Sequence, residues 1–98
     1  MKKAISYAKQ NHDRFINDLF ALMRIPSISA LPSHSADMTR CAEGIRERLT
    51  KAGADHAEVM PTTGAPVVYA SKTIDPKAKT VLIYGHYDVM PVEPLELW

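Results

Sequence analysis

The chain has 98 residues, 46% of them hydrophobic, with 12 Lys and Arg against 11 Asp and Glu for a formal charge of +1. That length bounds it to one small domain or part of one, the apolar fraction excludes a disordered chain, and the balanced charge gives nucleic-acid binding no electrostatic support. The single cysteine, Cys41, excludes an internal disulfide and points to a reducing compartment, while the polar run 9–14 interrupts any apolar start, so the expectation is a cytoplasmic chain with no signal peptide and no membrane span.

Ile5, Ala8, His12, Phe15, Ile16, Leu19, Leu22 and Met23 recur at steps of three and four, which predicts one amphipathic helix over the first two dozen residues. Pro26 ends it, because the residue before a proline is pushed out of the helical region. Pro26-Ser27-Ile28-Ser29 then reads as an ordered crossing loop, extended by Pro32 and Ser33 to an N-cap at Ser35. Met38, Cys41, Ala42, Ile45, Leu49 and Ala52 form the apolar stripe of a second helix, with Arg40, Glu43, Arg46, Glu47, Arg48 and Lys51 opposite and Gly53 as its stop.

Three strands are expected next, over Ala57–Met60, Val67–Ser71 and Thr80–Tyr84. The segments 61–66 and 75–79 that separate them carry turn chemistry. Connections this short favour antiparallel neighbours, since a parallel crossover needs a dozen residues or more. Val81-Leu82-Ile83 is apolar without alternation, which predicts a central strand covered on both faces. The fold class is therefore α/β, two helices followed by the strands of a mixed sheet.

Gly85-His86-Tyr87-Asp88 follows that third strand, at the carboxyl end where α/β sheets open onto their ligand crevice. Gly85 lets the backbone leave the strand sharply. Asp88, two residues after His86, can turn its carboxylate to the same side as the imidazole, accept one ring N–H, fix the tautomer and raise the basicity of the other nitrogen. His86 is thus the candidate metal ligand and Asp88 the candidate catalytic carboxylate; for a His-x-Asp taken alone the commoner outcome is a strand-end histidine hydrogen-bonded to its neighbours.

Tyr84-Gly85-His86-Tyr87-Asp88-Val89, followed by Pro91-Val92-x-Pro94-x-x-x-Trp98, resembles the first metal-binding segment of the co-catalytic zinc aminoacylase and dipeptidase family. That family includes carnosine-type dipeptidases, glutamate carboxypeptidases, acetylornithine deacetylase and succinyl-diaminopimelate desuccinylase. Arg24-Ile25-Pro26-Ser27-Ile28-Ser29 after the first helix is similar to the family's N-terminal opening, and Leu95-Glu96-Leu97-Trp98 leans toward the dipeptidase branch.

The resemblance implies that residues 1–98 are the N-terminal portion of a catalytic domain, with the rest of that domain and any lid or dimerisation domain lying further along. It implies a hydrolase that cleaves dipeptides or small peptide-like amides through a zinc-activated water, an N-acyl amino-acid deacylase being the alternative within the family. It also implies two zinc ions, or cobalt or manganese in their place, and a homodimer for the complete enzyme, with neither nucleic acid nor membrane as partner. His86 would be a ligand of one metal and Asp88 the carboxylate that holds it, while Tyr87 and Trp98 would pack around the mouth. The general-base glutamate and the remaining ligands lie beyond this chain, so the polypeptide alone is expected to be inactive. A truncated, non-catalytic module is the reading from outside the enzyme class.

The other chemistry-bearing residues read as structural. His12 lies on the first helix's apolar stripe and is expected to be partly buried, His34 to cap or face water, and His56 to face water from a turn. Cys41 falls on the core side of its helix and reads as a small apolar residue. The serines at 27, 29, 33 and 35 carry no nucleophile-elbow pattern.

Overall fold

A computed structural model describes residues 1–97. Two helices, α1 (Lys2–Gln10) and α2 (His12–Met23), precede a loop, a single 3-10 turn at Pro32–His34 and the long helix α3 (Ser35–Lys51). A hairpin of β1 (His56–Met60) and β2 (Val67–Ser71) follows, and a last 3-10 turn covers Leu95–Leu97. The α/β class holds, with four particulars different from expectation.

The single N-terminal helix is two. Asn11 sits between them at φ −108°, ψ 16°, outside helical geometry, and its side-chain amide donates to the Tyr7 carbonyl at 2.9 Å. An asparagine that bonds local backbone offers the chain an alternative to the helical ladder, and the break falls there. Neither α1 nor α2 buries a residue, so His12 is exposed rather than partly buried.

Helix α3 begins at Ser35 itself, with His34 in the capping position and no side-chain cap bond. Asp37 in its first turn suits the positive end of the helix dipole, and it holds His34 Nδ1 at 2.7 Å and Arg40 at 2.7 Å. The stop is as expected. Gly53 takes φ 97°, its N–H donates to Thr50 and the Ala54 N–H donates to Leu49, the paired bonds of a Schellman ending.

The two strands pair antiparallel, with Ala57 opposite Ala70 and Val59 opposite Val68. These four and Ser71 are the half-buried residues of two otherwise exposed strands, and α3 packs against both strands. Both turns close through side chains: Thr62 Oγ1 accepts the Gly64 N–H, and Asp75 accepts the Lys77 N–H. The fully enclosed apolar residues are Met38, Cys41 and Ala42, all on α3, which bears out the core role read for Cys41.

The expected third strand is not formed. Val81, Leu82, Ile83 and Tyr84 are 80–90% exposed, and β1 and β2 bond only to each other. A central strand needs a ladder partner on each side and a layer on each face, and residues 1–97 supply none of these to 80–84. The mixed sheet is therefore absent among the described residues. The surface records the same deficit: 8512 Å² is exposed, against about 5,600 Å² for a compact monomer of this mass. The radius of gyration is 16.2 Å, where about 13 Å is usual for this length.

Candidate functional site

The residues of the Gly85–Asp88 motif are held by a segment far away in sequence. Ser27, only 2% exposed in the loop after α2, donates its hydroxyl to the Tyr87 carbonyl at 2.8 Å, and its own carbonyl accepts the Val89 N–H at 2.9 Å. The Ser27 and Ile28 N–H groups bond to the Ile25 and Pro26 carbonyls at 2.8 Å, giving the loop the tight curl that turns both serines toward residues 87–89. Pro26 starts that curl by ending the helix.

Two serines therefore bracket Asp88. Ser29 Oγ donates to Asp88 Oδ2 at 2.6 Å, which leaves Oδ1 to meet His86 Nδ1 at 3.0 Å. The Asp88 carbonyl also lies 3.2 Å from that nitrogen. Both neighbours of Nδ1 are oxygen acceptors, so the ring carries its proton on Nδ1 and leaves a lone pair on Nε2. The hydrogen bond from Ser29, and behind it the one from His86, holds the Asp88 carboxyl below the usual carboxylate range.

Tyr87 points the other way. Its hydroxyl donates to the Pro66 carbonyl at 2.5 Å, tying the motif to the entrance of β2, and burial pushes its phenol above the ordinary value. An open cleft of about 720 Å³ lies alongside, lined by Met38, Ile45 and Leu49 of α3, by Val67 and Val68, and by the 83–88 segment with His86 and Asp88. The His86 side chain is 77% exposed.

The imidazole suits one coordination position, since its Nε2 forms no hydrogen bond among the described residues. No group of three His, Cys, Asp or Glu side chains gathers as a metal site among the described residues, so His86 belongs to no complete donor set there. The remaining candidates stay apart from it. His34 is bound to Asp37, His56 is exposed on β1 with Nε2 3.3 Å from Glu58, and Cys41 is buried in α3. Trp98 lies outside the described residues.

Sequence reasoning passed over Ser27 and Ser29, whose hydroxyls organise the motif without being nucleophiles. Their signal was the Pro26-Ser27-Ile28-Ser29 loop, and nothing local in it names a partner some sixty positions away.

No family model matches the chain. It is 30% identical over 97 residues to the Cys-Gly metallodipeptidase DUG1 of Saccharomyces cerevisiae, a match covering 87% of this chain and 20% of that protein. It is 26% identical over 88 residues to the cysteinylglycine-S-conjugate dipeptidase of Corynebacterium striatum, covering 90% of this chain and 19% of that protein. Among solved structures, the di-peptidase Dug1p of Saccharomyces cerevisiae superposes with a TM-score of 0.78 at 28% identity, covering 86% of this chain and 20% of that one. The chain spans about a fifth of the length of these relatives. Sequence and fold thus agree with those of metallodipeptidases along nearly all of this chain's own length, and the family resemblance read from its motifs is borne out by these relatives.

Proposed function

We propose that this chain is the N-terminal portion of the catalytic domain of a zinc-dependent hydrolase of dipeptides, with His86 as ligand to one of two metal ions and Asp88 as the carboxylate that orients it. The observation that carries the reading is the 3.0 Å contact of His86 Nδ1 with Asp88, which leaves Nε2 free at the edge of a cleft. Zinc, when bound, supplies Lewis acidity toward an amide carbonyl and lowers the pKa of water.

What this chain contributes is placement. Asp88 keeps the imidazole in one tautomer and raises its basicity, and the Ser29 hydroxyl, which donates to its Oδ2 at 2.6 Å, holds the carboxylate in place for that purpose. The other ligands and the general base would come from the remaining four-fifths of a protein as long as the relatives. Dipeptides are favoured over N-acyl amino acids because the relatives described above are dipeptidases, and Cys-Gly is the first substrate to try.

The test is an assay of the complete gene product on Cys-Gly, other dipeptides and N-acetyl amino acids, with and without a chelator. The expected result is chelator-sensitive cleavage of dipeptides that falls about 10- to 100-fold in Asp88→Asn and further in His86→Ala. Dipeptidase activity unchanged by His86→Ala would overturn the proposal.

A further inference from the structure

We infer that Ser29 is a positioning residue for His86, acting through Asp88: its hydroxyl fixes the carboxylate so that the imidazole is held as the Nδ1–H tautomer with Nε2 open to a cation. The functional meaning of this inference rests on the reading of His86 as a metal ligand; its structural content does not.

The two oxygens of Asp88 have separate partners. Oδ2 takes the Ser29 hydroxyl at 2.6 Å, and Oδ1 faces His86 Nδ1 at 3.0 Å. The Asp88 side chain is 41% exposed and the His86 side chain 77%, so packing alone does not lock either one. An aspartate that open to water has free rotation about its side-chain bonds unless something grips it, and an exposed imidazole exchanges its proton between the two nitrogens through solvent. Ser29 supplies the grip on the carboxylate. Ser27 does the same for the backbone, since its hydroxyl and carbonyl take the Tyr87 carbonyl and the Val89 N–H on either side of Asp88. With peptide and carboxylate both fixed, Oδ1 has one place to be, and that place is against Nδ1.

A merely structural serine, one that only ties the loop after α2 to residues 87–89, would leave the ring tautomer indifferent to its loss. The two roles separate by a measurement on the ring itself. The 98-residue chain is labelled with 15N-histidine and its imidazole nitrogens are read by long-range proton–nitrogen correlation at mildly alkaline pH. His86→Gln assigns the signal. The expected result is a single Nδ1–H tautomer for His86 in the parent chain, a partial shift toward the Nε2–H form in Ser29→Ala, where the Asp88 carbonyl still faces Nδ1 at 3.2 Å, and the single tautomer restored in Ser29→Thr, which keeps the hydroxyl.

An unchanged His86 signal in Ser29→Ala, with the Val89 amide still showing its bond to Ser27, would overturn the inference. Should the alanine variant lose that loop pairing altogether, Ser29→Cys, of similar size but with only a weak S–H donor, carries the test: a tautomer mixture in the folded cysteine chain supports the inference and a single tautomer overturns it. Metal content of the complete gene product separates the two claims. A tautomer that depends on Ser29, together with metal content that His86→Ala leaves untouched, sinks the hydrolase reading while the Ser29 relay stands. Where both hold, Ser29→Ala lowers zinc affinity about tenfold.

Discussion

The Tyr87 hydroxyl donates to the Pro66 carbonyl at 2.5 Å across 21 positions of chain, and so fastens the segment that carries His86 and Asp88 to the entrance of β2. The bond is half-buried, which makes its loss costly in one direction: removing the hydroxyl strands a carbonyl that water reaches poorly. Tyr87→Phe is expected to destabilise the chain by about 1 kcal/mol with no change in denaturant slope, measured by urea unfolding.

Gly53 ends α3 at φ 97° with open space where a Cβ would sit, so the position is costly for backbone reasons alone. Gly53→Ala should lower stability by about 1–2 kcal/mol, and Gly53→Asn by less, because asparagine tolerates the left-handed region. Equal losses in the two variants would point to the side chain rather than to the backbone.

Asp55, just ahead of β1, ties the start of the hairpin to the residues that leave β2. The hydrogen bond from Lys72 at 2.7 Å, and behind it the Thr73 N–H at 2.8 Å, holds the carboxyl below its ordinary range. Its contribution to stability is present above the unfolded-state value of about 3.9 and is lost as pH falls through the lower folded-state value. The stability difference between the parent chain and Asp55→Asn should therefore be constant near neutrality and shrink below about pH 4, as read from unfolding curves across the acid range.

Leu82 and Ile83 are 89% and 90% exposed, while Ala42 is fully enclosed by its neighbours. Ile83→Lys is expected to change the stability of this chain by less than about 0.5 kcal/mol and to reduce self-association in sedimentation experiments. Ala42→Leu is expected to cost about 1–3 kcal/mol by overpacking the buried side of α3. A large loss in the lysine variant would mean that 80–84 is covered in solution.

With no cluster of three donors among the described residues, the 98-residue chain should take up zinc no more tightly than an exposed histidine does. Isothermal calorimetry reads this directly, and stoichiometric, tight uptake would contradict it.

Features set by neighbours in sequence were legible without coordinates. The spacing of Met38, Cys41, Ala42, Ile45 and Leu49 gave α3 and its buried side, Gly53 gave its end, and the turn residues of 61–66 gave an antiparallel hairpin of nearly the observed extent. Each rests on a preference that acts within a few residues: helical period, left-handed glycine, side-chain closure of a turn. His86 and Asp88, two positions apart, belong to the same class, since their contact needs little more than a bend in the chain.

Tertiary structure alone decided the rest. Periodicity could not foresee the break at Asn11, because a side chain competing with the helical ladder leaves the apolar stripe intact. Nor could apolar character make 80–84 a strand, since a strand exists only through the partners that accept its hydrogen bonds, and none are offered among residues 1–97. The grip of Ser27 and Ser29 on residues 87–89 is likewise invisible in either segment read by itself, because a hydroxyl carries no information about which distant acceptor the folded chain will bring to it.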